Sequence, residues 1–127
     1  MTGGAVTIED PLSRVLAYSS MQENADAARV ATILGRQAPE PLREFFRQRG
    51  VFFEHLANSD DPLFIAADTE HGLSGRMAVA VRSGRELMGS VWVSCPKPLR
   101  GIELAALADG ARTVALHLLR SRASADL

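Results

Sequence analysis

Residues 76–94 read RMAVAVRSGRELMGSVWVS, and this stretch decides the fold class. Two runs, Arg76–Arg82 and Glu86–Ser94, alternate with period two around Ser83-Gly84-Arg85. That period marks strands with distinct faces, and short glycine-bearing linkers join such strands as hairpins. A three-residue loop places Val81 opposite Leu87 and Val79 opposite Gly89. Met77, Val79, Val81, Leu87, Val91 and Val93 then share one face. Ala78, Ala80, Ser90 and Trp92 share the other, which is small except for one large ring.

Downstream, Pro96 and Pro98 break the chain and Gly101 leads into a helix over Ile102–Arg120. Its residues Leu104, Leu107, Ala111, Val114 and Leu118 recur at steps of three and four, with Ala108 and Ala115 beside them. The polar stretch Ser121–Leu127 reads as a frayed tail. Upstream, Asp68–Gly75 is a polar loop, Leu63–Ala66 a short strand and Asn58–Pro62 a turn. Val51–Ala57 (VFFEHLA) is short and apolar, and fits a helical turn or a strand equally. Pro39 and Pro41 open a helix with Leu42, Phe45 and Phe46 on its apolar side, and Gly50 ends it. Before it, Ala27, Val30, Ala31 and Leu34 mark a helical face, with Asn24 as N-cap and Gly35 just past the end. Ala5–Ser19 forms a hairpin about Asp10-Pro11-Leu12-Ser13. Strands and helices thus come in blocks, which argues α+β with an antiparallel sheet.

The chain has 127 residues, one domain's worth, taken here as residues 1–120 followed by the tail. Fourteen basic against fifteen acidic residues give net charge −1, with no electrostatic footprint for nucleic acid. A single cysteine excludes a disulfide framework and a cysteine-rich zinc site. His55, His71 and His117 are far apart, so no metal is expected. No apolar run is long enough to span a membrane and no signal peptide precedes the first strand, so the cytoplasm is the expected compartment. The nucleophile elbow, the phosphate loop, the dinucleotide fingerprint and the zinc-protease motif are all missing from the sequence. No cofactor and no catalytic residues are expected, and the chain does not read as an enzyme. The least poor acid–base pairing is His55 with Glu54 or Asp68. Cys95, after a strand and before Pro96, reads as an inert thiol.

Some polar residues stand out. Ser20 and Glu23 match a capping box. Arg29, Arg36 and Arg76 are anion-binding candidates, although solvation is the ordinary fate of an arginine. Arg76 is the foremost, because it opens a buried strand beside a glycine-bearing loop. Trp92 reads as core, yet it lies on the small face, where a pocket can form. His117 flanks the apolar stripe of the last helix and reads as a satisfied interface or core residue.

Several phrases in order carry a resemblance: VLAYSS (15–20), QENADAARVATILGR (22–36), Gly50–Phe52, RMAVAVR (76–82), LMGSVWV (87–93) and ARTVALHLLR (111–120). Together they resemble the GAF-like sensory region of PucR/CdaR-type transcriptional regulators, over nearly the whole chain. The resemblance implies a GAF/PAS-like, profilin-like fold: five or six antiparallel strands with helices on both faces. It implies ligand sensing or dimer assembly that governs an attached helix-turn-helix domain, which this chain does not contain. DNA would be bound by that domain and not by this segment.

On the sensing reading, a small-molecule effector occupies a cavity lined by Tyr18, Phe53, His55, Arg76, Ser90 and Trp92. The last helix is the output, pairing with a second copy through Leu104, Leu107, Ala111, Val114 and Leu118 to give a homodimer. The alternative is a ligand-free GAF-like module for dimerisation or docking, whose side chains fill that space.

Overall fold

A computed structural model describes residues 5–19 and 26–125. The elements run β1 (Val6–Glu9), β2 (Val15–Tyr18), α1 (Ala27–Gly35), α2 (Glu40–Gln48), β3 (Leu63–Ile65), β4 (Arg76–Ser83), β5 (Glu86–Ser94) and α3 (Gly101–Ala125). The strands form one open sheet in the order β2-β1-β5-β4-β3. Every neighbouring pair is antiparallel. The α+β class read from the block order is therefore the observed one.

The β4–β5 hairpin forms as expected, but its register does not. Ser83 pairs with Glu86 and Arg82 with Leu87, so only Gly84 and Arg85 turn the chain. Gly84 has φ 60°, the left-handed conformation that tight hairpin turns require. Val81 then faces Gly89 and Val79 faces Val91, which leaves Met88 as the extra residue of a bulge. The bulge moves Leu87 to the opposite face from the one expected. Leu87 packs with Ala78, Ala80 and Trp92, and Met88 takes its place beside Met77, Val79 and Val81.

Helices cover both faces. The outer face of the sheet packs on α3 through Leu107, Ala111 and Ala115. The inner face packs on α2 and the turn after it, through Leu42, Phe45, Phe46, Val51 and Leu56. Pro39 precedes α2 and Pro41 stands in its first turn, where a missing N–H costs nothing. Gly50 has φ 72° and ends it. Val51–Leu56 is then a π-helical turn, with His55 N–H donating to the Gly50 carbonyl at 3.0 Å. That settles the segment whose period was ambiguous.

The largest departure is α1. Its apolar positions Ala27, Val30, Ala31 and Leu34 face outward, with Val30 44% and Leu34 79% exposed. The buried residues are Ala28, Arg29 and Thr32. The rotation is pinned from outside the helix. Asp26 is the N-cap and ties the first turn to Ser74 and Arg76. Ala28 N–H donates to the Gly72 carbonyl at 3.2 Å, and a Cβ at Gly72 would stand only 2.8 Å from that of Ala27. Asn24, expected as the cap, lies outside the described residues, as do Ser20 and Glu23 of the expected capping box. At the other end the left-handed residue is Arg36 (φ 60°) and not Gly35.

The last helix is longer than expected, reaching Ala125 through residues that read as a frayed tail. Among the described residues no helix is long and apolar enough to cross a membrane.

Candidate functional site

Alternation places Thr7 and Glu9 of β1, Arg76 of β4, and Ser90, Trp92 and Ser94 of β5 on the inner face of the sheet. Thr7 pairs with Trp92, Glu9 with Ser90 and Arg76 with Ser94. The α1 helix covers this end and buries Arg29, whose side chain is charged alike with Arg76 and opposite to Glu9.

Asp26 organises the cluster. Its Oδ1 accepts from the backbone N–H of Arg29 at 2.7 Å, closing the cap of α1. Its Oδ2 accepts from the Ser74 N–H at 2.7 Å and the Ser74 hydroxyl at 2.9 Å, and pairs with the Arg76 guanidinium. The Arg76 and Asp26 side chains are only 5% and 10% exposed. Burial outweighs this pairing and lowers the pKa of Arg76.

Arg29 has no such partner. It is 2% exposed, and none of its three guanidinium nitrogens makes a hydrogen bond to the described residues. Burial lowers its pKa to about 10, with repulsion from Arg76 adding to the effect. The Ser94 hydroxyl is likewise buried without a partner. Glu9, 6% exposed, accepts from Thr7 Oγ1 at 3.1 Å. Burial pushes its carboxyl up to about 7, against the opposing pull of Thr7, Arg29 and Arg76. Two guanidiniums thus share Asp26 and a Glu9 carboxyl that is part-protonated near neutrality, so the cluster is short of negative charge.

The adjoining half of the inner face is packed. Trp92 Nε1 donates to Ser90 Oγ at 2.7 Å, and the indole lies against Phe46 with centroids 4.9 Å apart. Ser90 also borders an open cleft of about 310 Å³, between the β1–β2 turn, the Arg43 and Arg47 side of α2, and Leu56.

Of the expected pocket residues, Arg76, Ser90 and Trp92 share this face. Tyr18 stands on the edge strand β2 and is 55% exposed. His55 Nε2 lies 2.5 Å from the Asp61 carbonyl and therefore donates to it. Phe53 falls in the π-helical turn, and its side chain lies outside the described residues. Glu54 is in the same position, while Asp68 meets Arg49 at 3.5 Å. On α3, Leu107 and Ala111 are buried against the sheet, and Leu104, Val114 and Leu118, also expected at a dimer interface, are partly buried against the same core. Ile102 and Leu116 are exposed. Among the described residues no three His, Cys, Asp or Glu side chains gather as metal ligands. Cys95 is buried, and burial raises its pKa.

Sequence reasoning named Arg29 only as one arginine in three and missed Asp26, Glu9 and Ser94. The strand period offered a signal for two of these. Glu9 sits two residues from Thr7, and Ser94 two from Trp92, on the small face.

No family model matches the chain. It is 32% identical over 116 residues to the DNA-binding transcriptional activator AdeR of Bacillus subtilis (strain 168). The match covers 91% of this chain and 27% of the relative, so the chain spans about a quarter of that protein's length. The likeness is to a transcriptional regulator.

Proposed function

We propose that this chain is a GAF/PAS-like, small-molecule-sensing and dimerisation domain of a cytoplasmic transcriptional regulator of the PucR/CdaR type. Similarity to a transcriptional activator supports the regulatory half of this reading. An open antiparallel sheet of five strands, flanked by helices on both faces, suits the fold. One observation carries the sensing half: a guanidinium, Arg29, is buried on the inner face with no nitrogen bonded to the described residues. Buried polar groups are almost always bonded, and exceptions concentrate where a ligand or water belongs.

The route from signal to output is short. Trp92 faces the inner side, while its neighbours Val91 and Val93 pack with α3 on the outer. A ligand that shifts β5 or β4 from within therefore acts on α3 through one layer of backbone. In the proposed homodimer, Leu107 and Ala111 anchor α3 to its own sheet. Leu104, Val114 and Leu118 are partly buried against the same core, so the second copy meets the side of α3 that bears exposed Leu116. The net charge of −1 favours leaving DNA contact to another part of the regulator.

A thermal-shift panel of purines, ureides, sugar acids, amino acids and nucleotides, run beside size-exclusion light scattering, tests this. A saturable shift in a dimer sustains the reading. A second reading, a ligand-free dimerisation or docking module, is favoured by Trp92, whose bond to Ser90 and packing on Phe46 fill part of the inner face. It predicts a stable dimer and no shift.

A further inference from the structure

Building on the sensing role, we infer that the effector carries a carboxylate, received by Arg29, with Arg76 as the second cation and the Ser94 hydroxyl, opposite Arg76 on the same face, as a further donor. The argument starts from what the inner face leaves undone. The described carboxylates of the cluster are already engaged. Asp26 serves the α1 cap, Ser74 and Arg76. Glu9 accepts from Thr7 and makes no hydrogen bond to Arg29. Among the described residues two groups of this face remain without partners, the Arg29 fork and the Ser94 hydroxyl. They come from different elements but belong to the same face, and Ser94 is the cross-strand partner of Arg76.

The missing group must accept hydrogen bonds, because guanidinium nitrogens only donate. It must be anionic, because the cluster is short of negative charge near neutrality. It must also be small, because Arg29 is 2% exposed beneath α1. A carboxylate meets all three conditions and matches the planar fork of arginine, taking two parallel N–H bonds. Tetrahedral phosphate shares the charge and accepts the same bonds, but demands more room. With a carboxylate bound and Glu9 protonated, the charges of Arg29, Arg76, Asp26 and the ligand cancel.

The test uses thermal shift and titration calorimetry on the chain at constant ionic strength. The probes are acetate, lactate and succinate, against acetamide, inorganic phosphate and chloride. At about a hundred times its dissociation constant, a carboxylate is expected to raise the melting temperature by several degrees, and acetamide by none. Arg29→Met should melt no lower than wild type yet lose the carboxylate response. Arg29→Lys, which keeps the charge without the fork, should weaken binding at least tenfold, as should Ser94→Ala. An equal carboxylate response in wild type and Arg29→Met would overturn the assignment. So would a response to phosphate alone. If a purine or nucleoside stabilises wild type and Arg29→Met alike, the sensing role stands and the carboxylate assignment falls. If a stable dimer answers to no probe and to nothing in the wider panel, both fall.

Discussion

Asp26 holds Arg76 with the same carboxylate that caps α1. One oxygen closes the helix through the Arg29 N–H, and the other takes Ser74 and Arg76 at the start of β4. This fixes the rotation of α1 and so decides which face of the helix meets the sheet.

Asp26→Ala should therefore destabilise the fold by about 3–5 kcal/mol. Most of that comes from stranding Arg76 as a buried charge, and about 1 kcal/mol from the cap. Asp26→Ser keeps a capping oxygen but not the ion pair, so in urea unfolding its own loss reads the pairing and its difference from Asp26→Ala reads the cap. Equal losses in the two would mean that the cap contributes nothing, and an undiminished Asp26→Ser that the Arg76 pairing contributes nothing.

Glu9 makes stability depend on pH in a direction opposite to that of an ordinary salt-bridged carboxylate. Its carboxyl is raised from 4.5 to about 7 in the fold. The folded state thus binds a proton that the unfolded state has already released. Stability should fall as pH rises from about 4.5 to 7 and level off above that, by up to about 3 kcal/mol. Glu9→Gln keeps the acceptor for Thr7 and removes the titration. It should flatten the profile and exceed wild type at pH 8 in denaturant melts taken across the range.

Gly89 lies against backbone that cannot yield. A Cβ there would stand 2.2 Å from the carbonyl oxygen of Glu9 on β1. Gly89→Ala should force β1 and β5 apart and cost about 1–3 kcal/mol. Gly110, inside α3 with open space around its Cβ position, is the control. Gly110→Ala should gain about 0.5–1 kcal/mol. Matching effects from both would show that steric approach at Gly89 is unimportant.

The two roles proposed for α3 separate by mutation. Leu107→Ala opens the outer core and should cost about 2–5 kcal/mol of folding stability. Leu116→Asp, at an exposed position, should change stability by no more than about 0.5 kcal/mol while shifting light scattering toward the monomer. A dimer indifferent to Leu116→Asp would place the interface elsewhere.

Much of the fold was readable because its strands alternate and its helices repeat. The β4–β5 pair, the apolar side of α2 and the buried stripe of α3 all follow from period alone. What period does not encode is phase. The outward-facing stripe of α1 contains the residues that would ordinarily be buried, and only the Asp26 tether and the Gly72 approach reveal that Arg29 turns inward. The hairpin shows the same limit. One bulge residue, Met88, reverses the face of Leu87, and nothing in the alternation marks it beforehand. Arg76, Ser90 and Trp92 share one face as read, because they sit on strands of known phase. Tyr18 lies on an edge strand, and His55 is engaged by a local carbonyl.

The order of the strands has a kinetic consequence. β4, β5 and α3 follow one another along the chain, so their mutual contacts close short loops and can form early. β1 joins β5 only across most of the sequence, and α1 is tied to the start of β4 through Asp26. Glu9 and Arg29 thus belong to the half expected to dock last, and the cluster around them is completed in the final stage of folding. Such late contacts act on the rate of unfolding more than on the rate of folding. A molecule that bridges Arg29 and the C-terminal hairpin would work as a clasp, lengthening the lifetime of the closed chain without altering how it is reached.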